Sequence, residues 1–132
     1  MNPIEAICSH HIRPEHLNHH KSLFGGTITS WMCEAAYIAT VKLRGSAEGI
    51  VLARADGIRF LRPLYAGDVL ELRARVERLG RTSIVLWLEG SSLLRGEKSC
   101  EGRFVFVTVD EDGRSRAHGL ALEWSVDLRT ET

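Results

Sequence analysis

The chain has 132 residues and a mass of 14.8 kDa, close to the commonest size of one domain. Hydrophobic residues make up 44% and charged residues 26%, which excludes a disordered, collagen-like or coiled-coil chain. Lys plus Arg and Asp plus Glu are 17 each, so the formal net charge is zero. No global field gathers phosphate backbone or an anionic bilayer, and neither nucleic acid nor membrane is an expected partner.

The cysteines are Cys8, Cys33 and Cys100, an odd number without close pairs, which is no disulfide framework. No apolar run reaches the ~18 residues of a membrane span. The first residues, broken by Glu5, His10, His11 and Arg13, are no signal peptide. A cytoplasmic location is the expectation. With no repeat and no linker, residues 1–132 read as a single domain.

In chain order, residues 3–12 suit an edge strand. Arg13 to Ser22 is a polar loop holding His16, Asn18, His19, His20 and Lys21. The segment Leu23-Phe24-Gly25-Gly26 then leads into one long helix, expected over Thr27 to Leu43. Ile28, Met32, Ala35 and Ala39 recur at helical spacing, Lys42 and Arg44 suit the last turn, and Gly45 is the stop. The helix has few charges around its circumference, which predicts enclosure on several sides.

Four strands follow. Ile50–Leu61 is the first, and Pro63 and Gly67 mark a turn. Asp68–Leu79 alternates, with Leu70, Leu72, Ala74 and Val76 on one side. Ser83–Leu94 contains the apolar run Ile84 to Leu88 and reads as buried on both faces. Ser99–Val109 centres on Phe104-Val105-Phe106-Val107. Short connections force antiparallel neighbours, so the fold class is α+β. In the tail, Leu120, Leu122 and Trp124 alternate weakly and suit docking on a partner or on the sheet.

Among candidate functional residues, Glu34 stands out as the single acid or base of the helix before Lys42. Enclosed, such a carboxylate has a raised pKa suited to a general base or nucleophile; the competing reading is a solvated surface Glu. Gly25 and Gly26 put unpaired N–H groups at the positive end of the helix, where an oxyanion or carbonyl oxygen binds. By itself the pair equally suits a tight turn. Cys33, mid-helix, reads as a small packed side chain. His16, His19 and His20 lack metal-site spacing and read as a solvated loop, so no metal is expected. Gly80-Arg81-Thr82-Ser83 offers a cation and two hydroxyls for a phosphate or pantetheine group, or simply a hairpin turn.

Taken in order, Asn18-His19-His20-Lys21-Ser22-Leu23-Phe24-Gly25-Gly26, Ser30-Trp31-Met32, Phe60-Leu61-Arg62-Pro63 with Gly67-Asp68, Gly80-Arg81-Thr82-Ser83 and Phe104-Val105-Phe106-Val107 with Asp110 and Gly113-Arg114 resemble the hotdog-fold acyl-CoA thioesterases. The resemblance runs from about residue 14 to 116. It implies an antiparallel sheet of five to six strands wrapped around one long central helix. It implies self-association as a dimer, tetramer or hexamer with sites between subunits. It implies hydrolysis of an acyl-CoA to free acid and CoA without cofactor or metal. A helix carboxylate acts as base or nucleophile, an N–H at the Gly-Gly start polarises the thioester, and the Asn matched by Asn18 places water.

Two departures are visible. The family's carboxylate position holds Cys33, and the nearest carboxylate is Glu34. Lys21 stands where the family has Gly. The expected catalytic set is therefore Glu34, Asn18 and Gly26. Gly25, His20, Phe24, Arg81, Thr82 and Ser83 are the expected substrate contacts. A hotdog protein that binds acyl thioesters without turnover is the alternative. A hydratase or dehydratase, with His20 and Glu34 as its acid–His pair, is a further one.

Overall fold

The computed structural model describes residues 4–121. Its elements are β1 (Glu5–His11), a short 3-10 turn (Pro14–His16), α1 (Gly25–Arg44), β2 (Ile50–Phe60), β3 (Val69–Leu79), β4 (Ser83–Ser92) and β5 (Lys98–Thr108). The five strands form one antiparallel sheet in the order β1-β3-β4-β5-β2. That is the lower end of the expected five to six. The helix starts two residues before the expected Thr27, because Gly25 and Gly26 already adopt helical geometry.

Helix α1 packs on the concave side of β1, β3, β4 and β5. Its Met32, Ala35, Ala36 and Ala39 are fully buried against Leu70, Leu72, Val76, Leu86, Leu88 and Phe104. Small alanines let the helix lie close to the sheet, and Met32 fills the irregular space between them. Gly90, at the middle of the sheet, serves the same close packing. A Cβ there would lie 2.5 Å from Cys100 Sγ and 2.9 Å from Leu72 Cδ2.

The alternation of β3 is as expected, with Leu70, Leu72, Ala74 and Val76 turned to the helix. Central β4 is buried on both faces from Ile84 to Leu86. The convex face carries ion pairs, among them the partly buried Arg103 bidentate to Glu77 at 2.7 and 2.9 Å.

Within one chain the helix is enclosed on one side alone, short of the expected enclosure on several sides. The sheet covers one flank, and Ser30, Glu34, Tyr37 and Ile38 form an exposed stripe along the other. One twisted sheet of five strands shields only the helix side that faces it. In the tail, Val109 bridges to Ser115, and the partly buried Leu120 packs against the core. Leu122 and Trp124 lie outside the described residues. Among the described residues no helix is long and apolar enough to cross a membrane.

Candidate active site

The helix start is built from Phe24, Gly25 and Gly26. Phe24 is the N-cap, with extended backbone and no capping side chain. Its carbonyl accepts the N–H groups of Thr27 at 3.0 Å and Ile28 at 3.1 Å. Among the described residues the N–H groups of Gly25 and Gly26 have no acceptor. Two aromatic rings frame them. A Cβ on Gly26 would lie 2.6 Å from the Phe24 ring, and one on Gly25 would lie 3.6 Å from the ring of Phe60 on β2. Both rings are more than half exposed. Two free donors at the positive end of a 20-residue helix, between apolar walls, suit an acyl carbonyl oxygen.

The loop before the helix is closed by Asn18. Its Oδ1 accepts the N–H groups of His20 at 2.8 Å and Ser22 at 3.3 Å, while its Nδ2 donates to Ser22 Oγ at 3.2 Å. Backbone bonds from Leu23 to Leu64 O and from Phe24 to His16 O tie the loop down. Lys21 has φ 68°, the left-handed conformation that favours glycine. The strain expected from Lys in a glycine position is thus present. His20 is exposed and lies against His19, ring centroids 3.9 Å apart and tilted by 42°.

Glu34 lies eight residues beyond Gly26, on the exposed stripe, with 60% of its side chain accessible. The water-poor setting expected for it is therefore not supplied by one chain. Its ionic neighbour among the described residues is His10, with Nε2 3.9 Å from Oε1, and not His20. His10 sits on the helix-facing side of β1, in step with Ala6 and Cys8. Its ring stacks on Trp31 at 4.3 Å and an interplanar angle of 7°, and His16 meets the same indole edge-on at 5.0 Å. Burial lowers the His10 pKa; the Glu34 carboxylate pulls it up, and His16 pushes it down again. Cys33, turned toward the core, has a thiol pushed up by burial. A thiol held protonated is a poor nucleophile.

Arg81, Thr82 and Ser83 make the β3–β4 hairpin, and their backbone is committed to it. Gly80 N–H donates to Ser83 O at 3.0 Å, and Thr82 O accepts Thr108 N–H at 2.9 Å. His118 Nε2 lies 3.1 Å from Ser83 O. On β5, Cys100 pairs with Phe60 and Thr108 with Ile50. Eight residues of strand separate these ends, roughly 26 Å. One chain therefore brings Asn18, Phe24, Gly25 and Gly26 to one end of the sheet and the Arg81–Ser83 turn to the other.

Sequence reasoning missed Phe60 as a wall of the helix entrance and missed His10 beside Glu34. The alternation Ala6, Cys8, His10, Ile12 was the available signal, since it puts His10 on an inward face of β1. Among the described residues no three His, Cys, Asp or Glu side chains converge as a metal set.

Comparison with known proteins agrees with this fold. A family model described as "Thioesterase superfamily" matches residues 20–92, which contain the Asn18-loop exit, the Gly-Gly start, all of α1 and strands β2 to β4. The chain is 36% identical over 105 residues to an uncharacterized acyl-CoA thioester hydrolase of Zymomonas mobilis, covering 76% of this chain and 69% of that one. It is 32% identical over 111 residues to the acyl-CoA thioester hydrolase YciA of Salmonella typhimurium, covering 78% and 81%. A crystal structure of an apo-hexameric acyl-CoA thioesterase superposes with TM-score 0.81 and 29% identity, over 98% of this chain and 88% of the other. A helix cradled in a five-stranded antiparallel sheet, opened at its Gly-Gly start and matched over that length, makes this hotdog chain a member of the thioesterase superfamily.

Proposed function

We propose that residues 1–132 form one acyl-CoA thioester hydrolase domain, releasing free acid and CoA. The observation that carries the reading is the pair of unengaged Gly25 and Gly26 N–H groups between Phe24 and Phe60, with Glu34 on the same open flank. Eight residues of helix rise about 12 Å. A glutamate side chain leans back toward the helix N-terminus and recovers about 4 Å of that. The remainder fits one hydrogen bond, one C=O bond and one water molecule in line.

In this mechanism Glu34 takes a proton from water as the new oxygen adds to the thioester carbon. The carbonyl oxygen takes the negative charge and is held by Gly26 N–H, with Gly25 beside it. Collapse of the tetrahedral intermediate breaks the C–S bond, and the proton on Glu34 goes to the CoA sulfur. A direct attack by the carboxylate, with water then opening the anhydride, uses the same two groups. Asn18 keeps the loop closed over the entrance and orients the water with its remaining Nδ2–H. His20 and Phe24 meet the substrate at the mouth.

Self-association completes the site. Val51 and Leu52 on the β2 edge are 47% and 42% exposed, and Tyr37 and Ile38 continue that apolar surface onto the helix. Two copies joined antiparallel along β2 bring the Phe60 end of one beside the Ile50 end of the other. The Arg81-Thr82-Ser83 turn of the second copy then comes to the Gly25–Gly26 entrance of the first, suited to the CoA phosphates and pantetheine. The same pairing covers Glu34 and removes its water. The hexameric relatives support assembly beyond a dimer. Three free cysteines fit a reducing cytoplasm.

The test is CoA release from short, medium, long and aromatic acyl-CoAs. Wild type is expected to be active, Glu34→Gln to lose about a hundredfold or more, and Cys33→Ser to keep its activity. A dead Cys33→Ser overturns the mechanism. A second reading, acyl-thioester binding without turnover, draws on Cys33 standing in the family's carboxylate position. Saturable acyl-CoA binding with no CoA release would select it.

A further inference from the structure

We propose that His10 is the positioning residue of Glu34, holding the carboxylate through its Nε2–H. The inference rests on Glu34 being the working carboxylate, and it assigns to a strand residue a role that the helix motif does not contain.

Three observations carry it. First, His10 Nε2 is buried and has no hydrogen-bond partner, although the ring stands on a helix-facing strand position. Buried polar nitrogens are normally paired, so an unpaired one asks for an explanation. Second, the ring is not free to turn away. Trp31 lies parallel to it at 4.3 Å, and His16 in turn meets that indole edge-on at 5.0 Å. Third, the carboxylate within ion-pair reach of Nε2 is Glu34, with Oε1 at 3.9 Å on a long and mostly exposed side chain. A modest change in the Glu34 rotamer closes that gap to a hydrogen bond, and the clamped imidazole needs no movement.

The pair also accounts for the carboxylate's place in the sequence. Glu34 follows Trp31 by three residues, so both project from neighbouring parts of the helix surface. Trp31 seats the His10 ring, and the ring in turn points at Glu34. A carboxylate at position 33 would instead face the core side, where Cys33 packs. The charged and titratable groups around His10 are Glu34 from α1, His16 from the 3-10 turn and Cys8 from β1 itself, with Lys42 farther along beside Cys8. Neutral His10 donates one N–H to the carboxylate. Protonated His10 forms an ion pair that weakens Glu34 as a base. Activity is therefore expected to fall as His10 gains its proton.

The experiment has two independent readouts on the full chain. The imidazole signals of labelled protein are titrated by NMR in wild type and Glu34→Gln, with His10→Gln assigning the His10 signal. The His10 midpoint is expected to move to lower pH in Glu34→Gln, because the carboxylate's pull is gone. An unmoved midpoint overturns the pairing. Kinetics are then compared for His10→Phe, which keeps the stack on Trp31 but has no donor, and His10→Gln, which keeps an N–H donor. His10→Phe is expected to lose about tenfold in kcat with KM within twofold. His10→Gln should recover most of that and lose the acidic limb that His10 contributes to kcat/KM. Wild-type kcat in His10→Phe beside a dead Glu34→Gln overturns the positioning role and leaves the hydrolase reading standing. Full activity in Glu34→Gln removes Glu34 as the working carboxylate, and the positioning role with it, whatever the titration reads. Thermal unfolding of each variant separates these losses from misfolding.

Discussion

Along α1, Met32, Ala35, Ala36 and Ala39 are fully buried, while Ser30, Glu34, Tyr37 and Ile38, partway round the same helix, are exposed. The closed flank is apolar and matched to the sheet side chain by side chain. The open flank mixes a hydroxyl, a carboxylate and two large hydrophobic groups. One helix thus carries two kinds of information. Its closed flank fixes where the backbone lies. Its open flank exposes chemistry and apolar surface that a single chain leaves uncovered. Changes on the closed flank should cost stability, and changes on the open flank should cost activity or assembly.

The sharpest break would come at Met32. Met32→Ala opens a cavity between helix and sheet and is expected to destabilise the fold by about 2–5 kcal/mol. Denaturant unfolding would measure it, and a loss under 1 kcal/mol would contradict the packing. Glu34→Gln should do the reverse, losing a hundredfold or more in kcat, about 2.7 kcal/mol of barrier. Its stability should stay within about 0.5 kcal/mol of wild type. Equal losses in both quantities would erase the distinction between flanks. Ile38→Glu should disturb assembly instead. Sedimentation is expected to show a shift toward the 14.8 kDa monomer, and an unchanged oligomer would mean that this flank faces solvent.

A pH prediction comes from Asp68. Burial pushes this carboxyl up, but hydrogen bonds from Ser92 Oγ and the N–H groups of Leu94 and Val69, with Arg95 nearby, outweigh it and hold the pKa below the usual carboxylate value. A depressed folded-state pKa stabilises above the unfolded value, near 4, and is lost as pH falls through the folded value. Thermal midpoints should therefore drop below about pH 4, and less steeply in Asp68→Asn. The smallest effect is Lys21→Gly. Relief of the left-handed conformation offsets glycine's greater unfolded-state freedom, leaving a gain of about 0.5 kcal/mol. A loss instead would mean that the Lys21 side chain holds the loop.

Much of the fold was legible because it rests on periodicity. The 28/32/35/39 spacing marked α1, alternation marked β3, and the apolar run Ile84–Leu88 marked the central strand. The start of α1 was misjudged by two residues, since glycine has poor intrinsic helix propensity and here is chosen for access. The strand order, with β1 beside β3, is set by tertiary pairing that no local pattern encodes. The candidate site was legible only within the continuous segment from Asn18 to Glu34. His10 comes to Glu34 from another element, so linear spacing did not find it. The Arg81 turn was named from its residues, but its place at the far end of the sheet was not readable from spacing. Exposure of Glu34 was likewise hidden, because a sparsely charged helix reads the same whether a sheet or a second chain covers its other side.

The imidazole of His10 lying flat on Trp31 also gives the protein an optical handle. An indole in van der Waals contact with an imidazole is quenched when that ring is protonated. The emission of Trp31 should therefore dim as pH falls, and His10→Gln should remove the share of that change that comes from the stacked ring, leaving the share from His16. Trp87 lies under the Arg103 guanidinium on the opposite face of the sheet and should not follow that titration. The difference in emission between wild type and Trp31→Phe, which cancels the light of Trp87 and Trp124, then reports the protonation state beside the carboxylate without added dye or label.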